Sequence, residues 1–173
     1  MGVIWYVALI LVTGAERIIE LVISTRNANW AFSQGGREYG KGHFPVMVTL
    51  HTAFLLACLA EVIFGNRPFI PLLGWPMLVI ALACQAGRYW VIHTLGRQWN
   101  TRVIVVPGLT RVTKGLYRFL SHPNYVIVIV EGIALPLVHT AWVTAIAFTA
   151  LNAVLLFGFR IPTENRALRE LAT

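Results

Sequence analysis

Apolar stretches long enough to cross about 30 Å of hydrocarbon recur along this chain, and no other feature restricts its fold as severely. A segment immersed in lipid must satisfy its backbone N–H and C=O groups internally, which makes a helix the natural state of each such run. Five spans are expected, at about 3–24, 44–64, 69–93, 124–138 and 141–159. With 57 % hydrophobic and 12 % charged residues and a mean hydropathy of +0.69, the chain is far too apolar for a soluble domain. The expected fold is an all-α integral membrane protein, a single membrane domain over 1–173. The last two spans are short and meet at Pro136-Leu-Val-His-Thr140, which reads as a tight helical hairpin. The first run carries Glu16, Arg17 and Glu20 in its second half and lacks a basic start, so it reads as a retained span rather than a cleaved signal.

The net charge of +7 raises nucleic acid as a partner, but the placement of the charges argues for a membrane. The segments 25–43 and 94–123 and the tail 160–173 hold 11 of the 14 Lys and Arg. The opposite side holds Arg67 alone, and Arg17 and Arg88 fall inside spans. The positive-inside rule then sets the N-terminus outside and the C-terminus in the cytoplasm. Anionic membrane lipids are the expected partners of this charge; no nucleic-acid recognition motif accompanies it.

The segments between spans are uneven. Ser24 to Pro45 carries four glycines with Trp30, Phe32 and Tyr39, and reads as an interfacial connector or a lid. The longer stretch 94–123 contains Arg102-Val-Ile-Val-Val106, a Pro107-Gly108 turn signal and the β-prone Leu109-Thr-Arg-Val-Thr113. A small hairpin or extended cap beneath the helices is expected there. It leads into KGLYRFLSHPNY, residues 114–125. Pro123 suits the first position of a helix, with Ser121 or His122 as N-cap. The free N–H groups and positive dipole end of that helix then make an anion site beside Tyr117, Arg118 and His122. A cofactor bearing a carboxylate or phosphate, bound at the edge of the lipid, is the expected ligand.

Ionisable residues inside spans face the protein interior and usually pair. Ion pairs of Glu16 and Glu20 with Arg17 or Arg88 are the plain reading. Glu131 lies six residues beyond Tyr125, in the helix that begins at the anion site, and is a candidate reaction-site residue. His43, His51, His93 and His139 show no i,i+3 or i,i+4 pairing, so no metal site is expected. Cys58 and Cys84 read as buried small apolar residues. Arg160 and Glu164 lie one turn apart just past the last span, on the same side as His122.

LTRVTKGLYRFLSHPNY (109–125) followed by RIPTE (160–164) resembles the isoprenylcysteine carboxyl methyltransferase family of integral membrane enzymes, over about Arg88 to Leu168. The N-terminal half, with ELVIST-RN, HFPVMVTLH and WNTRVIVVPG, is more similar to a bacterial subgroup that O-methylates alkylpyrones. The resemblance implies methyl transfer from S-adenosylmethionine, the cofactor contacting Arg102, Leu109, Thr110, Arg111, Val112, Tyr117, His122, Pro123, Asn124, Tyr125 and Glu164. It implies that Arg160 faces the anionic group of a lipophilic acceptor entering from the bilayer; Glu131, singled out by its spacing alone, is the second catalytic candidate. A bacterial plasma-membrane enzyme is the corresponding expectation.

The chain departs from the family at Ser121, where Arg usually precedes His-Pro; Arg118 stands near enough to substitute. The short segment after Glu164 directs the expectation toward a small lipidic enol or acid rather than a prenylcysteine. Two other readings stay open. Membrane reductases of the sterol type also carry His-Pro-Asn-Tyr and bind NADPH, but they place Gly-Glu directly after the Tyr, where this chain has Val126-Ile127. A non-enzymatic lipid-binding or transporter subunit leaves Arg160 and Glu164 without a purpose.

Overall fold

The polar residues that follow the first apolar run do not end its helix. In the computed structural model, which describes residues 2–170, α1 runs from Val3 to Ser33, nine residues past its expected end. Ser24 and Asn27 are not loop formers here, because they dock the segment that follows the third span. The Ser24 hydroxyl bonds Asn100 Oδ1 at 2.9 Å and lies 2.7 Å from Thr101 Oγ1. The Asn27 amide donates to the carbonyl of Trp99 at 2.7 Å. The helix then stops at Gly35, whose φ of 80° suits a residue without Cβ. Gly36 N–H reaches back to Ala31 at 2.8 Å, closing a Schellman-type end.

The other long helices fall close to their expected bounds: α2 at His43–Phe64, α3 at Pro71–Leu95, α4 at Pro123–Leu137 and α5 at Trp142–Leu155. The stretches His43–Phe64, Pro71–Gln98 and Trp142–Arg169 are long and apolar enough to cross a membrane, and Pro123–Leu137 is a shorter apolar helix. The protein is an all-α integral membrane protein. Residues 171–173 of the expected tail lie outside the described residues.

Charge in the middle of α1 is accommodated by pairing. Arg17 and Glu20 meet Arg88 of α3 and Glu131 of α4 in a buried cluster with two charges of each sign. Arg88 hydrogen-bonds Glu131 directly. Arg17 Nη1 lies 3.1 Å from Glu20, and its Nη2 lies 2.6 Å from Gln85, which in turn donates to Glu131 at 3.0 Å. The expected pairing of Glu20 with Arg17 and Arg88 therefore forms and Glu131 joins it, whereas Glu16 accepts instead from the Tyr89 hydroxyl at 3.2 Å. Removing water from a charge costs several kcal/mol, so each partner keeps the others tolerable at this depth.

At the opposite end of the bundle, Glu61 caps α5. Its two carboxylate oxygens accept from the N–H groups of Val143 at 3.1 Å and Thr144 at 2.7 Å, while Arg67 pairs with it at 2.9 Å. The hairpin between α4 and α5 turns at Thr140, with φ 54°, a region a β-branched residue rarely occupies. A hydrogen bond from its hydroxyl to the Pro68 carbonyl, 2.8 Å long, holds it there. Tyr6, Cys58, Val62, Leu135 and Val138 fill the core between these ends.

Of the hairpin or extended cap expected within 102–113, the structure has the extended form. Arg37–Tyr39 (β1) from the glycine-rich connector pairs antiparallel with Val103–Val105 (β2), and residues 109–113 stay irregular. Val103 and Val105 are buried against Ala167, and Glu38 approaches Arg102 at 3.6 Å, so β1 offers β2 both burial and charge pairing. The connector 24–45 is thus part helix and part strand.

Gly132 lies where α4 crosses α5. A Cβ at that position meets the Phe148 ring at 2.5 Å, and Phe148 is itself stacked on Phe54 at 4.0 Å. Gly132→Ala is expected to lower stability by about 1–3 kcal/mol through overpacking. Thermal unfolding in detergent reads this, and an unchanged midpoint contradicts it.

Candidate functional site

His122 is the N-cap of α4, and Pro123 takes the first helical position as its fixed φ allows. No side chain caps this helix start. The N–H groups of Tyr125 and Val126 both turn back to the His122 carbonyl, at 3.1 and 3.4 Å. The amide oxygen of Asn124 is buried without a hydrogen-bond partner.

The other half of the site comes from the end of the chain. Between Leu155 and Ile161 the helix passes through a π-turn, Leu156–Arg160, and continues as α6, Ile161–Glu170. Pro162 lacks the N–H that an unbroken α-helix would need there, and the wider turn accommodates it. Pro162 therefore continues the helix on a new phase, and that phase places Glu164 against α4. His122 Nδ1 lies 3.4 Å from the Glu164 carboxylate, and the Tyr125 hydroxyl donates to the same carboxylate. His122 Nε2 lies 3.2 Å from Asn165 Oδ1, so both ring nitrogens are turned toward α6. Arg160 is buried; its Nη2 donates to the Thr101 carbonyl at 2.8 Å and its Nε has no hydrogen-bond partner.

These groups share one cavity of about 710 Å³. Arg102, Leu109, Thr110, Arg111, Val112, Tyr117, His122, Asn124, Tyr125, Arg160 and Glu164 all stand on its wall. Pro123 does not line it and acts on the site by setting the helix start. Glu131 lies outside this wall, in the charge cluster, although its partners Arg17 and Arg88 line the cavity. Arg111, rather than Arg118, approaches Ser121, with its Nη2 3.4 Å from the Ser121 carbonyl. Arg118 is exposed and sits over the Phe119 ring.

Several wall residues were not expected from the sequence. Asn152 is fully buried in α5 with an unpartnered amide oxygen, and only its being a lone amide in an apolar run gave a signal. Trp30 reaches the wall because α1 continues past Ile23. The remainder comes from α1 and α2, both apolar and charged residues such as Arg17 and Glu20, and from residues 97–101 after α3.

The electrostatics follow from this geometry. The Glu164 carboxylate beside Nδ1 raises the His122 pKa above its ordinary 6.5, against the opposing effect of burial. Burial, and then the nearby Glu164, push the Tyr117 phenol well above its usual range, so it stays neutral. The arrangement brings cations, neutral hydroxyls and a helix start together around the half-buried Glu164 carboxylate.

Residues 77–170, more than half of the chain, match the isoprenylcysteine carboxyl methyltransferase (ICMT) family. The chain belongs to that family. It is also 38 % identical over 167 residues to the uncharacterized protein YpbQ of Bacillus subtilis (strain 168), an alignment covering 96 % of each chain. No solved structure matches it. The match begins within α3 and includes every residue from Arg102 to Glu164 that lines the cavity. Membership in the ICMT family makes the protein a membrane methyltransferase, with a polar site assembled from the start of α4, the segment before it and the π-turn.

Because the His122 pKa is higher in the folded state, the stability this ring contributes is full below its unfolded value of 6.5 and is lost as pH rises through the folded value. The thermal midpoint of the wild type is expected to fall on this account above about pH 6.5, and His122→Gln is expected to flatten that slope. Identical pH profiles for the two proteins would contradict the pairing with Glu164.

Proposed function

We propose that the protein methylates a carboxylate or acidic enol oxygen of a lipophilic acceptor, with S-adenosylmethionine as the donor. The observation that supports this reading is the single cavity joining a polar end, at His122, Arg160 and Glu164, to an apolar end between α1 and α2. A water-soluble donor and a membrane-dissolved acceptor can meet only in such a space.

The residues present fit the donor. Asn124 Oδ1 and Asn152 Oδ1 accept from N–H groups and Arg160 Nε donates, and all three are buried without a partner on residues of the cavity wall. The donor's carboxylate suits the uncapped start of α4 and the Arg111 guanidinium. The Tyr117 and Tyr125 rings and the Glu164 carboxylate favour a positively charged sulfonium nearby. When bound, the cofactor supplies an electrophilic methyl group. The chain's own task is then positioning, since an acceptor that is already an anion needs little proton transfer.

Arg160 orients the acceptor's anionic oxygen. Its side chain is fixed by the bond to Thr101, and its free Nε–H is left to donate. Glu131 acts from behind the wall, holding Arg88 and Arg17 in place as a positioning residue. The acceptor comes from the bilayer and the donor from the cytoplasm. The surface rich in Lys and Arg lies at the cytoplasmic face of a bacterial plasma membrane, in contact with anionic lipids, with the N-terminus outside.

Calorimetric titration of the detergent-solubilised protein tests this, with S-adenosylhomocysteine and NADPH as parallel ligands. Saturable binding of S-adenosylhomocysteine alone is expected; binding of NADPH alone overturns the reading in favour of a reductase. His122→Ala and Glu164→Ala are expected to abolish that binding without unfolding the protein. Arg160→Ala is expected to keep it and to raise KM for the acceptor by roughly tenfold or more, the loss of a charged hydrogen bond being about 1.5–3 kcal/mol.

A further inference from the structure

Between Glu61 and Glu131 the chain has no acidic residue, and residues 94–123 carry Arg97, Arg102, Arg111, Lys114 and Arg118. Arg102 and Arg111 stand on the cavity wall, whereas Lys114 and Arg118 lie outside it and are exposed. Among the described residues neither of these two makes an ion pair. Beside them, Phe119 is 78 % exposed and Leu120 41 % exposed. One short segment thus offers two adjacent apolar side chains and two free-standing cations to the same surroundings.

The packing of this segment sets its depth. Gly115, at φ 59°, begins the turn Gly115–Arg118 against the end of α3. A Cβ added to Gly115 meets Thr94 Oγ1 at 3.0 Å and Trp90 Nε1 at 3.3 Å. Trp90 is half-exposed near the end of a helix apolar enough to cross a membrane, the place where tryptophan sits at headgroup level. On the other side α4 begins at Pro123 and turns Val126 and Val130 outward, continuing the lipid-facing surface. Phe119 and Leu120 join these two surfaces in the chain. Their N–H groups both donate to the Leu116 carbonyl, at 3.1 and 3.0 Å, which closes the turn. Tyr117, in the same turn, stands on the cavity wall. What the outer side of the turn touches therefore bears on its inner side.

We propose that residues 114–120 dock on an anionic bilayer surface and that the docked turn holds Tyr117 in place on the cavity wall. Phe119 and Leu120 enter the interfacial layer, and Lys114 and Arg118 engage acidic lipid headgroups. The Arg118 guanidinium lies 5.7 Å from the centre of the Phe119 ring, so charge and ring are presented together. A zwitterionic surface satisfies the ring and leaves the two cations without a partner. A soluble acidic partner satisfies the cations but does not reach a ring at headgroup depth. The docking stands apart from the chemistry of the site; its effect on the donor rests on the methyl-transfer reading.

The test uses the full chain in nanodiscs of phosphatidylcholine, alone or with a quarter of phosphatidylglycerol. A nitroxide on Leu120→Cys, which keeps the phenyl ring, reports depth by its accessibility to oxygen and to a water-soluble nickel chelate. Wild type treated with the same label is the blank for the buried Cys58 and Cys84. The label is expected to be shielded from nickel in the acidic discs and less shielded in the neutral ones. Lys114→Gln with Arg118→Gln is expected to return it to the neutral-disc value, and Lys114→Arg with Arg118→Lys to keep the shielding. A label open to nickel in both discs, or equally shielded in both, overturns the docking. S-adenosylhomocysteine is zwitterionic, so the surface potential alone does not concentrate it. Wild type is expected to bind it about fivefold more tightly in the acidic discs, the low end of coupling between two sites. Equal affinity in the two discs overturns the effect through Tyr117. Absence of S-adenosylhomocysteine binding in either disc overturns the methyl-transfer reading, while the label still decides the docking.

Discussion

The pairing of Arg88 with Glu131, extended by Arg17, Glu20 and Gln85, is the contact on which the rest of the molecule depends. It ties α1, α3 and α4 together at a depth where none of the four charges is tolerable alone. With equal numbers of each sign, the cluster needs no counterion from outside. Side chains of α1 and α2 beside this cluster line the far part of the cavity.

A second constraint acts at the basic end. Glu164 accepts from Tyr125 and faces His122, so the last helix is clasped to the start of α4. The π-turn at Leu156–Arg160 is what brings both Arg160 and Glu164 to the wall around a proline that a regular helix could not carry. Above them, the two-stranded pairing of Arg37–Tyr39 with Val103–Val105 pins the connector from α1 over the same region. The polar site is thus built from four separated parts of the chain, and an ion pair, a clasp and a strand pairing hold them in register. Among its polar atoms, those on Asn124 Oδ1, Asn152 Oδ1 and Arg160 Nε stay unpartnered after these internal bonds are made.

Much of the site was legible in the sequence because its residues cluster in two short motifs. His122-Pro-Asn-Tyr125 announces a helix start, and Arg160 and Glu164 are one turn apart, so local rules suffice to place them on one side of the membrane. Glu131 shows the limit of such reasoning. Its spacing from Tyr125 points toward the site, but which neighbour it meets depends on where α1 and α3 pack. The structure gives it Arg88 and places it outside the cavity wall. The partner of the 103–105 strand was not legible for a related reason. Propensity marks 103–105 as extended but cannot say whether 37–39 or 109–113 will lie beside it.

By itself, the sequence determined that this is a helical membrane protein, roughly where its long helices lie except at the end of α1, and that a helix starts at His122 and Pro123. Those properties follow from hydrophobic run length, charge placement and proline chemistry, all local quantities. Only the tertiary structure decided that α1 continues to Ser33, that its charges are neutralised by α3 and α4, and that one cavity runs from His122 to Ile10. These depend on which distant side chains meet: a polar residue such as Ser24 or Asn27 ends a helix or extends it according to the partner that packing brings within hydrogen-bond reach.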